Sequence, residues 1–205
     1  MSGVQFNLFE PVLAAPDGFV YRPGLITTGE EAALTTRFGD LDFREFEFHG
    51  YLGKRRTVAY GVHYDFAAGR ARVTEPIPDF LLPLRERVAA FAGIAAGDIE
   101  HALVTEYGVG AAIGWHRDRP VFGDVIGVSL ASSCRFRFRR RTPAQLGEGG
   151  AEPSRAAGAW ERRTVTLAPR SAYILRGAAR GEWEHSIPAA ETLRYSVTFR
   201  TVSSA

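Results

Sequence analysis

The chain has 205 residues, of which 45% are hydrophobic and 12% aromatic, and its formal net charge is +2 at pH 7. This composition predicts one folded domain and excludes an intrinsically disordered chain. The single cysteine, Cys134, excludes an intramolecular disulfide and a multi-cysteine metal site. Neither a signal peptide nor an apolar run long enough to cross a membrane is evident, so we expect a cytoplasmic protein with no membrane association.

Two segments in the first half of the chain have helical patterns. The first is "TGEEAALTTRF", residues 28–38, with Thr28 as the predicted N-cap. The second is "DFLLPLRERVAAFAGI", residues 79–94, with Asp79 as the predicted cap and apolar residues at helical spacing. Residues 1–98 are therefore expected to form a helical and mixed N-terminal extension.

After about residue 99, short β-rich runs alternate with glycine and proline. The predicted strands are residues 99–107, 113–118, 125–131, 134–140, 163–167, 171–176 and 194–202. Many short strands separated by turns are typical of an all-β sandwich or barrel. Residues 142–161, rich in Gly, Ala and Pro, predict a long surface loop. The expected fold is mostly β with flanking helices, and residues 99–205 form its core within one structural unit.

The segment "GWHRDRP" contains a histidine and an aspartate two residues apart, His116 and Asp118. On a strand over 113–118 both side chains would lie on the same face, and Trp115 would face the opposite way into the core. Such a pair supplies two ligands of the two-histidine, one-carboxylate iron site, which leaves three octahedral positions open. His185, in "EWEHSIP", is the candidate third ligand. H-x-D pairs also occur by chance, so the pair alone does not decide the function.

The last predicted strand, "RYSVTFR", alternates between an apolar and a polar face. The polar face has Arg194 at one end and Arg200 at the other. Burying an unpaired arginine is unfavourable, so a ligand with two carboxylates lying along this face would explain both residues. The alternative is a solvated face on an edge strand.

In chain order, the H-x-D pair, the distal histidine and the R-x5-R strand resemble the AlkB family of Fe(II)- and 2-oxoglutarate-dependent dioxygenases. The resemblance covers residues from about 99 to 205 strongly. It extends weakly back to about residue 55 through "RRTVAYGVHYDF", which is similar to a segment of the family's substrate-binding region and implies a substrate-recognition segment within residues 1–98. It implies a double-stranded β-helix (jelly roll), an Fe(II) cofactor, and 2-oxoglutarate and O2 as co-substrates.

The resemblance also implies roles for individual residues. His116, Asp118 and His185 match the iron ligands and so the catalytic centre. Arg194 matches the arginine that pairs with the distal carboxylate of 2-oxoglutarate, and Arg200 matches the arginine near its metal-end carboxylate.

Four further positions bear on the co-substrate and the substrate. Tyr107 matches a tyrosine that hydrogen-bonds the co-substrate. Thr105 and Ser196 stand where many members have asparagine, and both retain hydrogen-bonding capacity. Pro120 stands where many dealkylating members carry an acidic residue near the damaged base, which leaves the nature of the substrate open.

Basic and aromatic residues suggest how a substrate would be bound. In "RFRFR", Arg135 and Arg137 lie on the face opposite two phenylalanines and could follow phosphates, although a charged solvated strand has the same pattern. Tyr60 and Tyr64 could stack on an extracted base, although core packing is the alternative. The basic run 54–56 lies just before them.

These observations predict oxidative demethylation of N-alkylated bases in DNA or RNA, as in DNA repair or the reversal of a nucleic-acid modification. The expected partner is DNA or RNA with alkylated bases, and the expected state is a monomer. One alternative is a hydroxylase of a small molecule or a protein side chain on the same scaffold. The other is a nucleic-acid-binding module that has lost catalysis, which the intact metal and 2-oxoglutarate residues disfavour.

Overall fold

The computed structural model describes residues 15–48, 51–65, 70–73, 75–142 and 159–203, and for residues 46–48, 51–53, 63–65 and 70–73 the backbone only. The strands are β1 (Phe19–Arg22), β2 (Arg44–Phe48), β3 (Tyr51–Asp65), β4 (Arg70–Val73), β5 (Ile99–Tyr107), β6 (Ile113–His116), β7 (Phe122–Leu130), β8 (Cys134–Arg141), β9 (Trp160–Leu167), β10 (Ser171–Leu175), β11 (Glu184–Ile187) and β12 (Arg194–Val202). The helices are α1 (Thr28–Phe38), α2 (Leu82–Ala92) and α3 (Gly177–Gly181).

The strands form two antiparallel sheets. The larger has eight strands in the order β1-β10-β7-β12-β5-β3-β2, with β4 paired to β3, and the smaller has the order β6-β11-β8-β9. Two facing antiparallel sheets with this interleaved order are the architecture of a jelly roll. The predicted mostly β fold with flanking helices is confirmed.

The region before residue 99 contributes directly to the larger sheet. β1 pairs with β10 at one edge, and β3 pairs with β5 near the other. The region is mixed, as predicted, and its strands extend the core sheet. The proposed division at residue 98 stays a prediction.

Helix α1 has the predicted bounds, but its N-cap is Thr27, one residue before the predicted Thr28. The Thr27 side chain accepts a hydrogen bond from the Glu30 amide, and the Glu30 carboxylate accepts one from the Thr27 amide. This reciprocal pair is a capping box, and it requires the cap to stand three residues before the glutamate.

Helix α2 begins later than the sequence predicts. Residues 79–81 form a 3-10 turn, and the predicted cap Asp79 lies in that turn and does not cap α2. Pro83 lies in the first turn of α2. Backbone N–H groups in that turn have no acceptor within the helix, so the N–H that proline lacks costs no hydrogen bond. Gly93 ends the helix in the left-handed conformation, with φ of 69°.

Two apolar clusters hold the layers together. One lies between the helices and the outer face of the larger sheet and includes Phe38, Val88, Val197 and Phe199. The other lies between the sheets and includes Phe136, Phe138, Tyr173 and Trp183. Because β12 alternates, its residues Arg194, Ser196, Thr198 and Arg200 face the smaller sheet instead.

No helix among the described residues has both the length and the apolar character needed to cross a membrane. Most of the predicted loop 142–161 lies outside the described residues, and β9 begins within its last residues, at Trp160.

Candidate metal and 2-oxoglutarate site

The smaller sheet brings the three candidate iron ligands together. His116 ends β6 and pairs in register with His185 on β11, and their ring centroids are 4.3 Å apart. Asp118 follows in the loop, and one ligand atom from each residue lies within 4.8 Å of the others. β6 ends at His116, so the predicted strand over 113–118 is too long by two residues. The aspartate is therefore positioned by a loop.

The hydrogen bonds of the ligands suit a metal site. His116 Nδ1 lies 2.9 Å from the carbonyl oxygen of Gly114. A carbonyl can only accept, so Nδ1 carries the proton and Nε2 keeps a lone pair for a metal. Asp118 Oδ2 lies 3.4 Å from His185 Nε2, and Asp118 Oδ1 accepts bonds from Arg200 Nε at 3.1 Å and Nη2 at 2.9 Å.

The charge states of the ligands follow from these neighbours. Burial by itself would raise the pKa of Asp118, but the charge of Arg200 and the two histidines hold it well below its usual range. Burial and the neighbouring His116 lower the pKa of His185 to about 3. An ionised carboxylate and a neutral imidazole are the forms that bind a metal cation.

Arg180, at the end of α3, holds the loop that carries Asp118. Its guanidinium donates to the carbonyl oxygens of Asp118 at 3.0 Å, Phe122 at 2.8 Å and Gly123 at 3.2 Å, and also to that of Arg119. Because four backbone carbonyl oxygens of the loop accept hydrogen bonds from one guanidinium, the loop is held in one conformation. No local motif marks Arg180, so the sequence alone does not predict its role.

The larger sheet supplies the candidate 2-oxoglutarate residues from adjacent strands. Tyr107 on β5 stands opposite Arg194 on β12, and Thr105 stands opposite Ser196. Directly opposed residues of paired strands share a face, so these four side chains line one side of the sheet. All four are buried.

Arg194 is the strongest sign that an anion belongs here. Its side chain is 1% exposed, its Nη2 donates to Ser129 Oγ at 3.2 Å, and its guanidinium lies 4.6 Å from the centre of the Tyr107 ring. Its Nε and Nη1 are buried without a hydrogen-bond partner among the described residues. A buried guanidinium with two unused donors is unfavourable until a carboxylate accepts from them. The residues therefore fit 2-oxoglutarate.

Two further residues join this face. Arg55, on β3, stands opposite Tyr107 on the side away from Arg194, and burial together with the nearby Arg200 charge lowers the pKa of Arg55. His101 Nδ1 lies 3.2 Å from Arg200 Nη1. The sequence alone predicts a role in the co-substrate pocket for neither residue. Only the pairing of β3, β5 and β12 reveals them.

Three of the candidate substrate residues, Tyr60, Arg135 and Arg137, have described side chains, and none of the three lies on the face that carries the iron ligands. Tyr60 is 7% exposed and belongs to the apolar cluster between the larger sheet and the helices, which favours the core-packing alternative. The side chain of Tyr64 lies outside the described residues.

Arg135 and Arg137 lie on the outer face of the smaller sheet. Their neighbours Phe136 and Phe138 are buried on the inner face, and the Phe136 ring lies 5.2 Å from that of His185. The two arginines are therefore on the opposite side of the sheet from the iron ligands. Trp115, which was expected in the core, is half-buried on this same outer face beneath Arg137. The strand alternation was predicted correctly, but the outer face is not part of the core.

Comparison with known proteins supports an oxygenase. Residues 35–200 match the family described as the 2OG-Fe(II) oxygenase superfamily. The chain is 29% identical to the Arabidopsis thaliana protein named "Alkylated DNA repair protein ALKBH8 homolog", over 197 residues that cover 90% of this chain and 54% of that protein. The chain thus spans about half the length of this curated relative.

Solved structures show the same fold. OsALKBH1 matches with a TM-score of 0.58 at 16% identity, over 90% of this chain and 98% of that one. The epimerase SnoN of nogalamycin biosynthesis matches with a TM-score of 0.58 at 19% identity, over 91% of this chain and 79% of that one. A Pseudomonas putida prolyl-4-hydroxylase matches with a TM-score of 0.55 at 13% identity, over 92% of this chain and 94% of that one.

The matched family covers most of the chain and includes every candidate iron and 2-oxoglutarate residue. The family match confirms the predicted resemblance to AlkB proteins and the enzyme class, an oxygenase that uses Fe(II), 2-oxoglutarate and O2. The chain belongs to the 2OG-Fe(II) oxygenase superfamily.

Proposed function

We propose that this oxygenase removes N-alkyl groups from bases of DNA or RNA, with His116, Asp118 and His185 as its iron ligands. The observation that carries the substrate class is the likeness along 90% of the chain to a protein named for alkylated-DNA repair. The basic outer face of the smaller sheet agrees with a nucleic-acid partner. A monomeric state and a cytoplasmic location belong to the same proposal.

The side chains have separate tasks in this proposal. Arg194 binds the distal carboxylate of 2-oxoglutarate through Nε and Nη1, and Tyr107 and Ser196 add neutral hydrogen bonds beside it. Arg200 holds the Asp118 carboxylate through Nε and Nη2, and its positive charge would attract the metal-end carboxylate of 2-oxoglutarate. Phe136 packs against His185 and excludes water from that side.

Bound Fe(II) and 2-oxoglutarate supply the O2-dependent oxidation that hydroxylates an N-methyl carbon, and the hydroxymethyl product then breaks its C–N bond to release formaldehyde. The protein's contribution to that chemistry is a fixed ligand geometry and a buried, charge-matched pocket. Arg180 keeps Asp118 in position without touching the reacting groups.

A second candidate function is hydroxylation of a small molecule or a protein side chain. SnoN and the prolyl-4-hydroxylase resemble this chain about as closely in fold as OsALKBH1 does. Pro120, at a position where AlkB-type dealkylases often carry an acidic residue, points the same way.

The test is mass spectrometry of methylated DNA and RNA oligonucleotides incubated with the protein, Fe(II), 2-oxoglutarate and ascorbate. We expect loss of methyl mass from at least one substrate, together with formaldehyde, and neither with Asp118→Ala. Consumption of 2-oxoglutarate without any change in the oligonucleotides would favour the second candidate. Full activity in Asp118→Ala would remove the ligand assignment.

A further inference from the structure

The outer face of the smaller sheet carries alternating arginine and tryptophan side chains, here named the Arg–Trp ladder. The Arg137 guanidinium lies 5.1 Å from the centre of the Trp115 ring system, and Arg139 lies 4.6 Å from Trp115 and 4.3 Å from Trp160. Arg141 lies 5.2 Å from Trp160. Each separation is within cation–π range, about 6 Å. The Arg–Trp ladder is therefore one continuous surface of five side chains.

Strand pairing explains why these five residues share a face. Arg141 stands opposite Trp160 in the β8–β9 register, and β8 alternates so that Arg137, Arg139 and Arg141 point away from the inter-sheet cluster. Trp115 reaches the same face from β6, at the opposite edge of the sheet. The Arg–Trp ladder thus crosses the whole sheet, from β6 to β9.

Among the described residues, most arginines on this face have no acidic partner. Arg139 pairs with Glu184 at 2.6 Å, whereas Arg137 donates to the neutral Ser186 hydroxyl at 3.1 Å. Within the described part of the chain, no carboxylate forms an ion pair with Arg135, Arg137, Arg141 or Arg162. A ladder with a purely structural role would be stabilised by acidic partners. In the described part of this ladder, Arg137 and Arg141 lie beside indole rings without an acidic partner.

A cleft adjoins the Arg–Trp ladder at Arg139, Arg141 and Trp160. Its volume is about 540 Å³, and its other lining residues are Arg117, Arg140 and the two carboxylates Glu182 and Glu184, which pair with Arg140 and Arg139. That volume lies within the range of sites for small organic groups. Guanidinium groups around an aromatic wall offer hydrogen bonds to phosphate and a surface for a base.

We propose that the Arg–Trp ladder binds single-stranded nucleic acid, with phosphates on its unpaired arginines and bases against Trp115 and Trp160. This inference rests on the proposed function, because the strand it binds is the one that carries the modified base. Trp115 immediately precedes the iron ligand His116 on an edge strand. A nucleic-acid strand that leaves the iron site therefore has a short path around the edge of the sheet at β6 to the Arg–Trp ladder.

Intrinsic fluorescence tests the proposal directly, because the chain has three tryptophans and the third, Trp183, is 1% exposed. The full chain, loaded with Mn(II) and 2-oxoglutarate, is titrated with unmodified oligothymidylate and, separately, oligouridylate. We expect quenching by at least one of them that weakens with added salt. Trp160→Ala should weaken binding roughly 5- to 100-fold if a base stacks on that ring.

Surface variants guard against a folding defect. Arg141→Gln combined with Arg162→Gln should weaken oligonucleotide binding severalfold and flatten its salt dependence, and Arg22→Gln on β1 is the matched exposed control. Oligonucleotide-independent turnover of 2-oxoglutarate should be unchanged in all of these variants. Unaltered binding in the double variant, or heparin binding that requires Trp160 as strongly as the oligonucleotide does, would overturn the proposal.

The two proposals fail in different ways. Ladder-dependent binding without release of formaldehyde from any methylated oligonucleotide would reject the demethylase and keep the nucleic-acid surface. Demethylation of single-stranded substrates with normal KM in the ladder variants would keep the demethylase and reject the surface.

Discussion

Arg194 carries a charge in one of the most buried positions of the fold, and its two unpartnered nitrogens make a specific prediction. Arg194→Met should weaken 2-oxoglutarate binding about 10-fold or more, because charge-assisted hydrogen bonds contribute about 1.5–3 kcal/mol each. The unfolding temperature without 2-oxoglutarate should stay level or rise, since an uncompensated buried cation is removed.

Calorimetric titration in the presence of Mn(II), with circular dichroism for unfolding, measures both effects. Arg44→Met is the matched control, because the Arg44 side chain is 84% exposed. Wild-type affinity in Arg194→Met would show that the co-substrate binds elsewhere.

Arg180 makes a second prediction, as a positioning residue. Arg180→Ala should lower Mn(II) affinity roughly 10- to 100-fold, because the four carbonyls of the ligand loop lose their common donor. Arg180→Lys should recover only part of the loss, since an ammonium cannot span all four. Electron paramagnetic resonance of bound Mn(II) gives the affinity and the symmetry of the site. A variant with normal affinity and an unchanged spectrum would leave Arg180 with a purely structural role.

Individual residues differ in how far the sequence could predict them. The candidate iron ligands and both candidate co-substrate arginines stand in short local patterns, so the sequence alone predicts their roles. Ser129, His101 and Arg180 have no such pattern, because each reaches its partner through sheet pairing or a loop distant in sequence. The position of Trp115 on an exposed arginine face depends equally on which strands lie beside β6.

At the scale of single elements, helix α1 offers a test with an internal control. Thr27→Ala should destabilise the protein by about 1 kcal/mol, because it removes the acceptor of the capping box. Thr28→Ala, one residue further on, should change stability little, since Thr28 lies inside the helix and is exposed. Urea unfolding of the two variants decides between Thr27 and Thr28 as the cap. Equal losses would indicate that the capping box contributes little.

The strands show why some elements are predictable and others are not. β5 and β12 have the predicted bounds, because each combines a buried apolar face with regular alternation. β3 was missed because its inward-facing positions, such as Arg55 and Thr57, are polar and line the co-substrate face. The alternation of apolar and polar residues along β3 is therefore weak, so its sequence does not predict a strand. Pairing with β5 stabilises it as one.

At the scale of the whole molecule, the site joins the two sheets. His116 and His185 belong to the smaller sheet, whereas Arg194 and Arg200 belong to the larger one. Asp118 connects them, since it lies beside His185 and accepts two hydrogen bonds from Arg200. Metal and co-substrate binding should therefore stabilise the sandwich as a unit.

Because both ligands bind the folded state and not the unfolded state, the size of this stabilisation follows from their concentrations and dissociation constants. With metal and 2-oxoglutarate at about 100 times their dissociation constants, each independent site adds about 2.7 kcal/mol. For a chain of this length, one such increment raises the unfolding temperature by about 5–10 °C. We expect Mn(II) and 2-oxoglutarate together to give at least that rise in differential scanning calorimetry. His116→Ala should abolish most of it, and Arg141→Gln on the outer face should leave it intact. An equal rise in His116→Ala and wild type would place the metal away from β6 and β11.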